Sequence, residues 1–198
     1  MKIAKIVSSN SHIDYVGRVI DELDVAAPPK ADDYGFAKFV SIPLDKKQDI
    51  IGVIYNSMLM NPDYANYGPR LSSAQELDGF SPDFINEQGC LIGILLLGSK
   101  DESEKITQNI PTRIIPAGRD IHSVDTETVK QFHTDEKGNL QIHYYSQIVS
   151  HAGDFSVPLL ESIIEELGEN GCSDDEKKRL GVLKQTLAWQ RTVGAMRL

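Results

Sequence analysis

The chain has 198 residues, of which 40% are hydrophobic and 25% charged, the balance of an ordinary globular protein. Its net charge of −9 opposes phosphate backbones and argues against unaided nucleic-acid binding. No apolar run nears the roughly 20 residues of a membrane-spanning helix, Met1 to Asn10 lacks a signal-cleavage pattern, and Cys90 and Cys172 sit in unlike contexts. The expectation is therefore a reduced, cytoplasmic protein without a disulfide framework or a membrane span.

Taken in chain order, Lys2 to Val7 predicts a short strand, and Tyr15 to Ile20 a second with an interior glycine. Asp24 to Tyr34, with Pro28-Pro29 and Asp32-Asp33, is a turn-rich connection. Phe36 to Leu44 reads as a strand with Phe36, Lys38, Val40, Ile42 and Leu44 on one side, and Asp45 to Gln48 as a polar turn. Asp49 to Leu59 and Cys90 to Gly98 are two further strands that echo each other, each apolar with glycine inside (Ile51-Gly52-Val53, Ile92-Gly93-Ile94). A strand-interior glycine marks a bulge, a close backbone approach or a barrel corner, so the pair predicts a small, tightly curved β-barrel.

Between those strands, Asn61 to Arg70 reads as an exposed ordered loop, and Ser81-Pro82-Asp83 as the start of a short helix. Thr112 to Ile115 predicts a short edge strand. Helical patterns follow over Val124 to His133 and from Asn139, with Leu140, Tyr144 and Ile148 on one face; a strand over Leu140 to Tyr144 fits the same residues. Ser156-Val157-Pro158 opens a helix carrying Leu159, Ile163, Ile164 and Leu167, and Ser173 with Glu176 has the spacing of a capping box for a last one. The fold class is α+β: an N-terminal β-barrel domain over 1–120, then a C-terminal helical domain over 121–198.

The chemical motifs point away from catalysis. Gly93 to Lys100 nearly spells a phosphate-binding loop, but Ser99 precedes Lys100, Asp101 follows, and the residues between the glycines are strand formers. The histidines His12, His122, His133, His143 and His151 lack zinc-pair spacing and read as surface or half-buried residues. Asp135 to Asn139 is a turn rather than a calcium loop. Cys90, at the head of an apolar strand, reads as buried and inert. No catalytic, cofactor or metal residue is assigned.

The last helix carries more information. After Glu176 no acid remains, while Lys177, Lys178, Arg179, Lys184, Arg191 and Arg197 supply six cations. At about 100° per residue, Leu180, Leu183, Leu187 and Gly194 share one face; Val182, Trp189, Val193 and Met196 share another. Such a helix is either sandwiched within its own domain, the placement the pattern favours, or presents one face to a partner. Trp189 flanked by Arg191 suits an interface anchor, since both types are enriched in binding hot spots. The partner-binding candidates are Trp189, Val193 and Arg191, with Tyr64, Tyr67 and Arg70 in the Asn61 to Arg70 loop.

Three segments, Val16-Gly17-Arg18-Val19-Ile20, Phe39-Val40-Ser41-Ile42 and Ile50-Ile51-Gly52-Val53-Ile54, resemble in order the strands of the HAS-barrel, the small barrel named for the HerA translocase and the ATP synthase. The resemblance covers about residues 13–100. It implies a barrel that helps to assemble or cap an ATPase ring, here in a stand-alone form, since the ATPase motifs are absent and no catalytic residue carries over. The reading is a non-enzymatic interaction or assembly module whose partner is a protein, such as an ATPase ring, or the chain itself. The alternative is a small-molecule or nucleotide-binding module with the Asn61 to Arg70 loop at the barrel mouth.

Overall fold

The computed structural model describes residues 1–45, 48–60, 89–103, 105–169 and 174–195. Among these residues seven strands are present: β1 (Lys2–Ser9), β2 (Asp14–Val19), β3 (Phe39–Asp45), β4 (Gln48–Met60), β5 (Gly89–Asp101), β6 (Ile106–Thr107) and β7 (Asp120–Ser123). Among the described residues the α-helices are α1 (Thr126–Phe132), α2 (Tyr145–His151), α3 (Ser156–Glu169) and α4 (Asp174–Ala195). Six strands close a ring in the order β1-β2-β5-β4-β3-β7, with every pairing antiparallel, and β6 is appended to the end of β5. The predicted barrel is thus a closed antiparallel one, which leaves no open edge around the ring.

The interior is solid. Ile3, Ile6, Val40, Ile42, Ile50, Ile54, Ile92, Ile94, Leu96 and Ile121 form a buried cluster there. A second cluster lies on the outside of β3, β4 and β5, where Phe39, Ile51, Val53, Leu95 and Leu97 pack against Val129, Phe132, Ile148, Leu160, Ile163 and Leu167 of the helices. Strands β4 and β5 are apolar on both faces, which is why they read as continuous hydrophobic runs instead of alternating ones.

The interior glycines sit at breaks in the ladder. Ile51 pairs with Gly98 and Gly52 with Leu96, a register shift of one residue; a second shift, between Ile54 and Asn56, lies beside Gly93. On β1 the register slips after Ile6, the partner of Gly17. A Cβ on Gly52 would lie 2.8 Å from the Leu95 carbonyl oxygen, and one on Gly98 2.2 Å from that of Thr107. These bulges bend the strands enough to close a six-stranded ring.

Several expectations need correction. The strand expected from Phe36 begins at Phe39, because Ala37 takes a positive φ of 65° and turns Phe36 out to solvent. Thr112 to Ile115 is not a strand: the Ile115 N–H donates to the Tyr15 hydroxyl, the His12 ring bonds the Pro111 carbonyl, and Arg113 pairs with Asp45. Ile115 thereby joins the interior cluster, held by side chains in place of a ladder. The helix expected from Asn139 starts only at Tyr145. Leu140 makes an isolated bridge to Thr134, and the Asn139 N–H is taken by Asp135 in the predicted turn, so Leu140 to Tyr144 is neither helix nor regular strand. Strands β6 and β7 were not anticipated. β7 is short, carries His122 on a four-residue span, and runs past the expected boundary at 120. The Asn61 to Arg70 loop, the Ser81 helix start and Ser173 lie outside the described residues.

Candidate interaction surface

Helix α4 rests on α3 through the leucine stripe. Leu180 and Leu187 are buried in the outer cluster and Leu183 packs against it. Two polar links fix the helix's rotation: Lys184 pairs with Glu165 of α3, and the Glu176 carboxylate accepts the Leu140 N–H at 3.0 Å. With that face inward, Val182 is 65% exposed and Trp189 67%. The expectation that both apolar faces of this helix are internal is therefore overturned at these two residues. Trp and Val contribute to stability when buried, so their exposure here has no role in the fold of the single chain. Thr186, on the same stripe, donates its hydroxyl to the Val182 carbonyl at 3.0 Å, which satisfies its polar group within the helix. Arg191 and Val193 belong to the α4 backbone, with side chains outside the described set; Tyr64, Tyr67 and Arg70 lie outside the described residues altogether.

A second feature is an aromatic cleft of about 370 Å³ at one end of the barrel, walled by Tyr34, Phe36, Tyr55 and Phe155 with Cys90 at its side. Phe36 and Phe155 touch at a centroid distance of 6.0 Å and both are exposed. The Tyr55 hydroxyl donates to Asp14 at 3.0 Å; burial, with the Asp14 bond adding to it, pushes that hydroxyl's pKa up to about 12. Burial likewise raises the pKa of the Cys90 thiol, which keeps it protonated and weakly nucleophilic. Sequence reasoning missed this cleft because Phe36 and Phe155 are far apart in the chain, and nothing local to either announces the other.

Sequence reasoning also missed the centre of the joint between barrel and helices. His133 is buried, against the expectation of a surface or half-buried histidine. It packs edge-on against Phe39, Phe132 and Tyr144. Its Nδ1 lies 2.7 Å from the Val129 carbonyl oxygen and its Nε2 2.6 Å from the Tyr144 hydroxyl. A carbonyl only accepts, so Nδ1 carries the proton and Nε2 accepts from Tyr144. Both ring nitrogens are satisfied, and the pair is a structural device rather than a reactive one. Gln108, just after β6, ties the same joint: its amide donates to the Phe132 and Gln141 carbonyls and accepts the His143 N–H.

Among the described residues, no group of three or more His, Cys, Asp or Glu is placed to hold a metal ion, and no helix is long and apolar enough to cross a membrane. The match to a family model described as a domain of unknown function (DUF8166) runs over residues 1–197. No curated protein matches the chain.

Proposed function

The chain belongs to the DUF8166 family, and from that premise we propose that it is a non-enzymatic protein-interaction module, an assembly part and not a catalyst. The observation that carries this reading is the outward face of α4, where the chain's one tryptophan stands in solvent beside Val182 on a helix locked in rotation by buried leucines. Trp is the residue most often found at the energetic centre of an interface. Support also comes from the barrel: its interior is filled by aliphatic side chains, so binding is left to the outer surface. The likeness of residues 13–100 to the HAS-barrel fits the same reading, with the barrel as the docking part of the chain, the helices after it as the presenting part, and an ATPase ring or another copy of the chain as the kind of partner.

The test is Trp189→Ala, with native-cell capture at low salt and identification of what remains bound. The expected result is a stoichiometric protein, another copy of the chain included, that wild type retains and the variant loses, while far-UV circular dichroism and the urea midpoint stay within about 0.5 kcal/mol of wild type. If the substitution unfolds the chain, Trp189 is core and the reading fails. It fails equally if nothing is retained in a Trp189-dependent way.

A further inference from the structure

We propose that the aromatic cleft at the end of the barrel is a binding site for an organic cation with an alkylated ammonium head. The cleft is built without any residue of α4, and the proposal stands independently of the interaction reading above.

Three observations carry it. First, the walls are rings. Tyr34, Phe36, Tyr55 and Phe155 come from separate stretches of the chain and line one cavity. Phe36 and Phe155 are each 43% exposed, and their rings meet at a tilt of 57°. The backbone is strained where it holds Phe36: Ala37 occupies the left-handed region at φ 65°, which costs free energy for any residue with a Cβ. Two hydrogen bonds pin that turn, from the Ala37 N–H to the Ile54 carbonyl at 2.8 Å and from the Ile54 N–H to the Lys38 carbonyl at 2.9 Å. A strand continued back through Phe36 would be free of this strain, so the fold keeps an aromatic ring in water at a cost. The faces of such rings carry partial negative charge and attract cations.

Second, the charge around the cleft has one sign in excess. Asp14 accepts the Tyr55 hydroxyl on one carboxylate oxygen at 3.0 Å and the Asn10 side-chain amide on the other at 3.1 Å. Among the described residues no Lys or Arg pairs with Asp14, and Arg18 on the same strand is already paired with Asp21 and Asp24. Asp32 and Asp33 lead into Tyr34, and Asp154 leads into Phe155. Asp33 accepts the Lys30 N–H, while Asp32 and Asp154 are exposed. The cations beside the same wall residues are Lys30 and Lys38, so four carboxylates stand against two amines. That balance disfavours a phosphate or carboxylate ligand and favours a positive one.

Third, size and wall chemistry select the kind of cation. A volume of about 370 Å³ sits at the small end of the roughly 300–1,000 Å³ typical of ligand pockets. A bare metal ion needs several oxygen or nitrogen ligands at once, and among the described residues no His, Cys, Asp and Glu group supplies them. An alkylated ammonium is weakly hydrated. Its charge gains from the ring faces and the acidic surround, and its alkyl groups fill the apolar space between the rings.

The test uses choline and its uncharged isostere 3,3-dimethyl-1-butanol, titrated calorimetrically into the full chain as wild type, Phe155→Leu, Asp14→Asn and Trp189→Ala. Leucine at 155 keeps an apolar side chain and removes the ring. Asparagine at 14 keeps an oxygen that accepts from Tyr55 and removes the charge. The proposal expects saturable choline binding by wild type, with the isostere weaker by about tenfold or more. Phe155→Leu should weaken choline binding about tenfold and Asp14→Asn about threefold, with urea midpoints unchanged. If Phe155→Leu lowers the midpoint, Phe36→Leu takes its place as the ring deletion. Trp189→Ala should bind choline as wild type does, which keeps this test separate from that of the α4 surface. Equal binding of the isostere makes the cleft a plain apolar pocket and overturns the proposal. So does the absence of saturable choline binding, or binding that survives loss of the ring or is untouched by loss of the Asp14 charge. Binding lost in Trp189→Ala would place the cation on α4 and overturns it as well.

Discussion

At the scale of single residues, His133 couples the fold to pH. Burial drives its pKa from 6.5 down to about 4, with the Val129 carbonyl pulling weakly the other way. Its neighbour Tyr144 is held protonated, raised well above its ordinary value by burial and then by the charge of Glu166. The folded chain therefore keeps His133 neutral where the unfolded chain would take up a proton. The resulting stability is complete above pH 6.5 and is lost as pH falls from 6.5 towards 4. The full loss is about 3 kcal/mol. Asp24, Asp125 and Asp135 are lowered from 3.8, chiefly by hydrogen bonds, so their acid-linked losses develop at lower pH. Urea midpoints measured from about pH 7 to pH 4.5 should fall steadily in wild type. His133→Phe, which starts less stable because the Tyr144 hydroxyl loses its acceptor, should show a much flatter profile. A slope unchanged by the substitution would place the acid sensitivity elsewhere.

The element scale is where sequence and structure speak most directly to each other. The paired runs around Gly52 and Gly93 were legible as bent barrel strands because a glycine that interrupts an apolar strand has a physical consequence, and the bulges beside both residues are that consequence. The α3 stripe of Leu159, Ile163, Ile164 and Leu167 was equally legible, and all four are buried. Strand β7 was not: four residues with no alternation of their own become a strand only because β1 and β3 lie on either side. The Phe36 turn escaped detection for a similar reason, since the positive φ of Ala37 is imposed by hydrogen bonds to Ile54 and not by a turn-forming residue. At the candidate surface, the two-faced pattern of α4 was visible, but which face turns inward depends on where α3 sits. The glycines allow a graded test. A Cβ on Gly98 would meet a backbone oxygen of β6, whereas one on Gly17 would meet the Ile121 Cδ1 at 2.5 Å, the movable end of a side chain. Gly98→Ala should thus cost about 2 kcal/mol or more and Gly17→Ala distinctly less, as read from denaturant midpoints. Equal costs would mean that β6 yields as easily as one rotamer.

At the scale of the whole molecule, the barrel and the helices share one hydrophobic layer. Phe39, Ile51, Val53, Leu95 and Leu97 point away from the barrel interior and, among the described residues, are buried in one cluster with α1, α2, α3 and α4. The expected boundary at 120 also falls at the start of β7, the strand that closes the ring between β1 and β3. A chain cut at 120 would lose the closing strand, and one cut after 123 would keep the ring but expose a broad apolar face, a surface that drives aggregation. Among the described residues α4 packs on α3 and α3 on the strands, so the helices share the strands' apolar layer. The two parts should therefore unfold together. Helical circular dichroism and hydrogen exchange of the β5 amides should report one transition with one midpoint, and residues 1–123 expressed alone should be insoluble or bind a hydrophobic dye strongly. Helical signal lost well before the β5 amides open would instead make the barrel an autonomous unit. The outer face of β3, β4 and β5 would then be tolerable in water, and the helical layer would become a detachable cover rather than part of the core.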